Sequence, residues 1–178
     1  MKQIMLTGSG GQGMITAGII LAKAGIVDGL NVTQTQSYGP EARGGASRAE
    51  VILSDDEIDF PKVVKADVIL AMTQEAADKF SPKLKAGGTL IVDPMYVYNV
   101  PEVNGKIYSV EITKLAKEST GKMVTMNIVA IAAVNRICGL VSASALEAAV
   151  LATVPKGTEA LNRKALEAGS AGLEDADM

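Results

Sequence analysis

The feature that most constrains the fold is a glycine-rich turn near the start of the chain. Lys2 to Leu6 reads as a short buried strand, and Gly8-Ser9-Gly10-Gly11-Gln12-Gly13 follows at once. Met14 to Asp28 then predicts a helix, with Ile15, Ile19 and Ala22 on one face and Gly29 at its stop. Gly8, Gly10 and Gly13 meet the spacing G-x-G-x-x-G between a strand and a helix. In that setting the free amides of the helix start can hold an anion such as a pyrophosphate. The alternative is that the glycines merely let the helix pack close to the sheet. A dinucleotide site would also place a carboxylate near the end of the next strand, to hold a ribose hydroxyl. That strand, Asn31 to Gln36, ends in Gln34, Thr35, Gln36 and Ser37, which argues against NAD.

A second loop follows directly. Ser37 to Gly45 reads Ser-Tyr-Gly-Pro-Glu-Ala-Arg-Gly-Gly, with Glu41 and Arg43 set among residues that shape backbone. Loops of this kind, carried by a rigid sheet, often bind ligands or partners. A structural turn with Arg43 tied to Glu41 or to a carbonyl is the other reading. Arg48 to Ser54 predicts the next strand, and the connection is too short for a helical crossover, so the two strands should be antiparallel neighbours.

The remainder gives the architecture. Asp55 to Asp59 is an acidic bend without the ligand spacing of a calcium loop. Asp67 to Met72 predicts a strand, Thr73 to Phe80 a short helix capped by Thr73, and Thr89 to Asp93 a strand stopped by Pro94. Pro101 and Asn104-Gly105 mark a turn before an edge strand at Lys106 to Val110. Helices are expected over Glu111 to Ser119, Val124 to Cys138, Ser142 to Thr153 and Thr158 to Ala168. The expected fold is α/β, a three-layer α/β/α arrangement with a mixed, mostly parallel sheet and a helical C-terminal part. Residues 1–178 form a single domain in this reading, with a frayed acidic tail from about residue 170. The helix at 124–138 is apolar nearly all round, so it needs cover from the sheet or from another chain.

Composition narrows the function. A 178-residue chain with 48% hydrophobic residues can bury a substantial core. A net charge of −3 and the lack of Trp, with two Phe and four Tyr, argue against a nucleic-acid surface. The one cysteine, Cys138, reads as core, and one cysteine cannot hold an iron–sulfur cluster or a structural zinc. No histidine is present for acid–base work. The longest apolar region, Met123 to Val141, is broken by Asn127, Asn135 and Arg136, which suits a buried helix better than a membrane span. A soluble, cytoplasmic protein is expected.

Taken together, the loops at 8–13 and 37–45 resemble those of the gamma subunit of 2-oxoacid:ferredoxin oxidoreductases. The resemblance continues through Asp67, Gly87-Gly88, Asp93-Pro94, Asn127 and Asn162 to Gly169. It implies an assembly that oxidatively decarboxylates a 2-oxoacid, couples it to coenzyme A and passes electrons to ferredoxin. The implied cofactors are thiamine diphosphate with magnesium and iron–sulfur clusters. They would belong to thiamine-binding alpha and beta subunits and to an iron–sulfur (delta or ferredoxin-like) subunit, with this chain non-catalytic and binding no cofactor alone. The amides of Gly10, Gly11, Gln12 and Gly13 would form one wall of the coenzyme A approach. Arg43, beside Gly44, would offer its charged fork, and Tyr38 and Glu41 would orient the loop. The alternative is that both loops are contacts between subunits. The separate short chain favours 2-oxoglutarate as substrate. An indolepyruvate-type subunit and a stand-alone nucleotide-binding domain are the competing readings.

Overall fold

The computed structural model describes residues 1–37 and 46–171, and the following concerns those residues. Six strands, β1 (Lys2–Ser9), β2 (Asn31–Ser37), β3 (Ala46–Ser54), β4 (Ala66–Ala71), β5 (Leu84–Val92) and β6 (Gly105–Ser109), form one sheet in the order β2-β3-β1-β4-β5-β6. β3 is antiparallel to β2, as the short connection predicted, and also to β1, while β1, β4, β5 and β6 are parallel in turn. β3 is therefore the one described strand that runs against the rest. β6 is an edge, as expected, and β5 begins earlier than the sequence suggested, because Leu84 already pairs with Ala66.

Alternation along the strands divides the core in two. Ile4, Leu6, Val51, Leu53, Val68, Leu70 and Ile91 face one layer; Met5, Ile52, Ile69, Ala71, Leu90 and Val92 face the other. The first layer holds α1 (Met14–Val27), α3 (Ile112–Thr120), α4 (Met126–Cys138) and α5 (Ala143–Thr153), with α6 (Glu159–Ala171) packed on α4. The second is thin, made of α2 (Gln74–Phe80) and connecting segments around Val63 and Val97. α1 carries the chain from β1 toward β2, whereas α2 carries it from β4 to β5 in the opposite direction. Right-handed crossovers then put these helices on opposite faces.

Two details decide how tightly the layers sit. Gly18 in α1 approaches β3 so closely that a methyl group there would lie 2.7 Å from Ala49 Cβ. Glu50, buried on β3, accepts from Thr35 Oγ1 and Val63 N, both at 3.2 Å, and pairs with Arg48 Nε at 3.1 Å. Of the two covers expected for α4, the structure supplies an internal one: Met126 and Ile128 to Val134 are buried within this chain, largely against α6, α3 and α1. α6 reaches Ala171, so Ser170 and Ala171 are helical, and 172–178 lie outside the described residues.

Candidate functional site

β1 and β4 are neighbours whose connections leave in opposite directions. A crevice outside their carboxyl ends is where doubly wound sheets bind ligands. The glycine turn rises from the end of β1 at this switch point. Its neighbour is set by register: Ser9 pairs with Ala46, so the turn stands next to the start of β3. Ser47 Oγ lies 3.3 Å from both Gly8 O and Ser9 O and fastens the two together. Both ends of the second loop, Ser37 and Ala46, thus lie on this same edge of the sheet. Tyr38, Glu41, Arg43 and Gly44 themselves fall outside the described residues.

The turn is built by Gln12. Although Gly10 and Gly11 on the solvent side are exposed, Gln12 is buried. Its Oε1 accepts from Ser9 N at 2.8 Å and its Nε2 donates to Met72 O at 3.2 Å, just past the end of β4. One amide side chain therefore closes the loop on itself and ties it across the switch point. Gly8 is small for the same reason, since a side chain there would strike Gln12 Oε1. Gly13 caps α1 in the left-handed region, at φ 76°, where glycine is favoured. A methyl group on Gly13 would also lie 2.9 Å from Asn127 Cβ, so the loop rests against the start of α4.

This geometry leaves the beginning of α1 electrically open. No side chain caps it and no acidic residue lies in its first turn; its first backbone bond runs from Ala17 N to Gly13 O. The amides before Ala17 have no helical acceptor and carry the positive end of the helix dipole. An anion of phosphate or carboxylate type can be received there by backbone alone.

Two further segments frame the crevice. Thr73 caps α2 by accepting from Ala76 N, as its position in the sequence predicted. Gln74 Nε2 donates to Asn99 O at 2.7 Å and its Oε1 accepts from Asn99 N at 2.9 Å, clasping the segment after β5. That segment is anchored by Asp93, fully buried, whose carboxylate accepts from Thr113 N, Thr113 Oγ1 and Met95 N. The bracing roles of Ser47 and Gln74 were not read from the sequence; a small hydroxyl after a glycine pair and an amide beside a helix cap were the available signals.

Among the described residues no group of three His, Cys, Asp or Glu side chains could hold a metal ion. The described residues do not fit magnesium, an iron–sulfur cluster or a thiamine–metal site. Cys138 lies away from the crevice, at the end of α4, and burial pushes its thiol up to about 11, outweighing the pull of Lys2. No described helix is long and apolar enough to cross a membrane.

Fold and site define a doubly wound α/β domain with an anion-ready backbone loop at its switch point. Residues 3–172 match the pyruvate ferredoxin/flavodoxin oxidoreductase family, and the chain belongs to that family. Its sequence is 49% identical to 2-oxoglutarate synthase subunit KorC of Methanothermobacter marburgensis, over 94% of each chain. Its structure matches a keto/oxoacid ferredoxin oxidoreductase gamma subunit from Geobacter sulfurreducens at a TM-score of 0.86 and 46% identity, covering 96% of each chain. Indolepyruvate oxidoreductase subunit IorB of Pyrococcus horikoshii stands further off, at 30% identity over 93% of each. The resemblance to the gamma subunit is borne out, and the indolepyruvate and stand-alone readings are not favoured.

Proposed function

We propose that this chain is the gamma subunit of a 2-oxoglutarate:ferredoxin oxidoreductase. The assembly converts 2-oxoglutarate and coenzyme A to succinyl-CoA and carbon dioxide, passing two electrons to ferredoxin. The reading is carried by the excess of identity toward the 2-oxoglutarate synthase subunit over the indolepyruvate one. Thiamine diphosphate, magnesium and the iron–sulfur clusters belong to thiamine-binding alpha and beta subunits and an iron–sulfur subunit. A chain with one cysteine and no histidine is consistent with that division. Its single thiol also suits the reducing cytoplasm.

Within the assembly, the backbone of Gly10, Gly11, Gln12 and Gly13 forms one wall of the coenzyme A approach. Gln12 holds that wall in shape. Arg43 supplies a fork suited to phosphate or carboxylate, with Tyr38, Glu41 and Gly44 shaping its loop. The test is to purify the assembly through a tag on this chain and measure ferredoxin reduction with four acids: 2-oxoglutarate, pyruvate, 2-oxoisovalerate and indolepyruvate. The highest kcat/KM is expected for 2-oxoglutarate, and a preference for another acid refutes the assignment. In the same preparation Arg43→Ala should raise KM for coenzyme A in an intact complex. Loss of assembly alone would count against the ligand role.

A further inference from the structure

Among the described residues, the one buried side-chain nitrogen or oxygen atom that lacks a hydrogen bond is Arg48 Nε. Buried polar atoms are seldom left so in native proteins. Arg48 shares a face of β3 with Ala46 and Ile52, the face turned to the thin layer. Its Nε lies 3.1 Å from Glu50 Oε1, near enough for an ion pair, but the N–H is not aimed at that oxygen. Glu50 Oε2 already accepts from Thr35 Oγ1 and Val63 N. The guanidinium is held instead against Phe80, the buried last residue of α2, 5.5 Å from the ring centroid. Neither Nη group has an acceptor among the described residues.

An arginine kept only to neutralise Glu50 would lay an edge of its fork along that carboxylate. Here a ring and a carboxylate fix the guanidinium in place and leave its Nη donors unclaimed. The side chain is 28% exposed, so an acceptor from outside can reach them. The acceptor that fits is a single carboxylate, whose two oxygens match one edge of the fork. Arg48 and Lys79, which both lie over the Phe80 ring, are matched in charge by Glu50 and by Glu75, which accepts from Ala46 N. The spot therefore has no surplus positive charge to hold a phosphate dianion. An arginine seated on an aromatic base and open on one side is the kind of residue that dominates binding at protein interfaces.

We infer that Arg48 receives an aspartate or glutamate side chain of another subunit, through its unclaimed Nη groups. The inference rests on the reading of this chain as a subunit of a larger oxidoreductase. Arg48 is the register partner of Ser37 on β2 and stands two residues from Ala46. The contact therefore lies at the root of the second loop, and docking bears on the strand pair that carries it.

The test uses the reconstituted complex with Arg48→Lys, which keeps a positive charge near Glu50 and loses the fork. Association of this chain with its partners should weaken by about tenfold to a hundredfold, the scale of hydrogen bonding to a charged group. The unfolding midpoint of the chain alone should stay close to that of the wild type. A photoreactive amino acid at position 48 should cross-link to one partner segment that holds an Asp or Glu. Changing that residue to its amide, with this chain left intact, should weaken association equally, and the two changes together should cost no more than either alone. Wild-type affinity in Arg48→Lys, or additive losses in the double change, overturns the inference while the proposed function stands. A less stable lone chain that still associates with wild-type affinity overturns it too, and leaves Arg48 a counter-charge for Glu50. Unchanged association with a raised KM for coenzyme A overturns it in favour of a phosphate. Failure of the wild-type chain to join thiamine-binding subunits overturns the proposed function and this inference together.

Discussion

Gln12 is the position at which the site can be taken apart most cleanly, because each end of its amide has a separate task. Gln12→Ala removes the bond to Ser9 N and the bond to Met72 O. At about 0.5–1.5 kcal/mol net for each, the loss is about 1–3 kcal/mol, partly offset by the side-chain entropy that alanine no longer loses. Gln12→Glu has nearly the same shape and keeps the acceptor for Ser9 N, but it sets an oxygen against Met72 O where a donor belongs. Buried and facing a carbonyl, that carboxyl is expected to titrate above the ordinary glutamate value. Its pKa is then raised in the folded state. The penalty is absent below the unfolded value of about 4.3 and grows as pH rises from there to the folded value, costing about 1.4 kcal/mol for each tenfold loss of acidity. A carboxyl made about a hundredfold less acidic by folding would leave Gln12→Glu about 3 kcal/mol less stable than the wild type at pH 7 and close to it at pH 4. Urea unfolding of the chain at the two pH values measures both differences. If Gln12→Glu matches the wild type at pH 7, the Nε2 contact with Met72 O does not hold the loop, and something else closes the turn.

Two other outcomes follow from the packing. Gly18→Ala should destabilise the chain by about 1–3 kcal/mol in thermal unfolding despite alanine's better helix propensity, because its methyl would lie 2.7 Å from Ala49 Cβ and must push α1 off β3. Cys138, with its thiol held near 11, should react with an alkylating reagent at pH 8 about a hundredfold more slowly in the folded chain than in urea, with the rate rising toward pH 11; equal rates would show that the thiol is open to solvent.

Much of the fold is legible in the chain because its signals are local. Pro94 and the cap Thr73 mark where elements stop or start, and the structure uses the Thr73 hydroxyl as an acceptor. The antiparallel turn-back from β2 to β3 was readable because a short connection between strands admits little else. The strand–glycine turn–helix order at the start of the chain was legible too, since glycine spacing is a property of a few consecutive residues.

What the sequence could not decide is everything set by distance in space. The role of Gln12 depends on Met72, sixty residues away, and that of Asp93 on Thr113; neither pairing has a local signature. Whether the apolar helix α4 needed another chain depended on where α6 folded back, which periodicity does not encode. The sequence by itself determined the alternation of strands and helices and the glycine turn, in a chain with no histidine and a single cysteine. The tertiary structure alone decided that the first glycine turn starts beside Ala46, the residue that follows the second loop. Ser9 and Ala46 become partners because an antiparallel strand inserts between β1 and β2, and backbone register, not side-chain pattern, fixes that meeting.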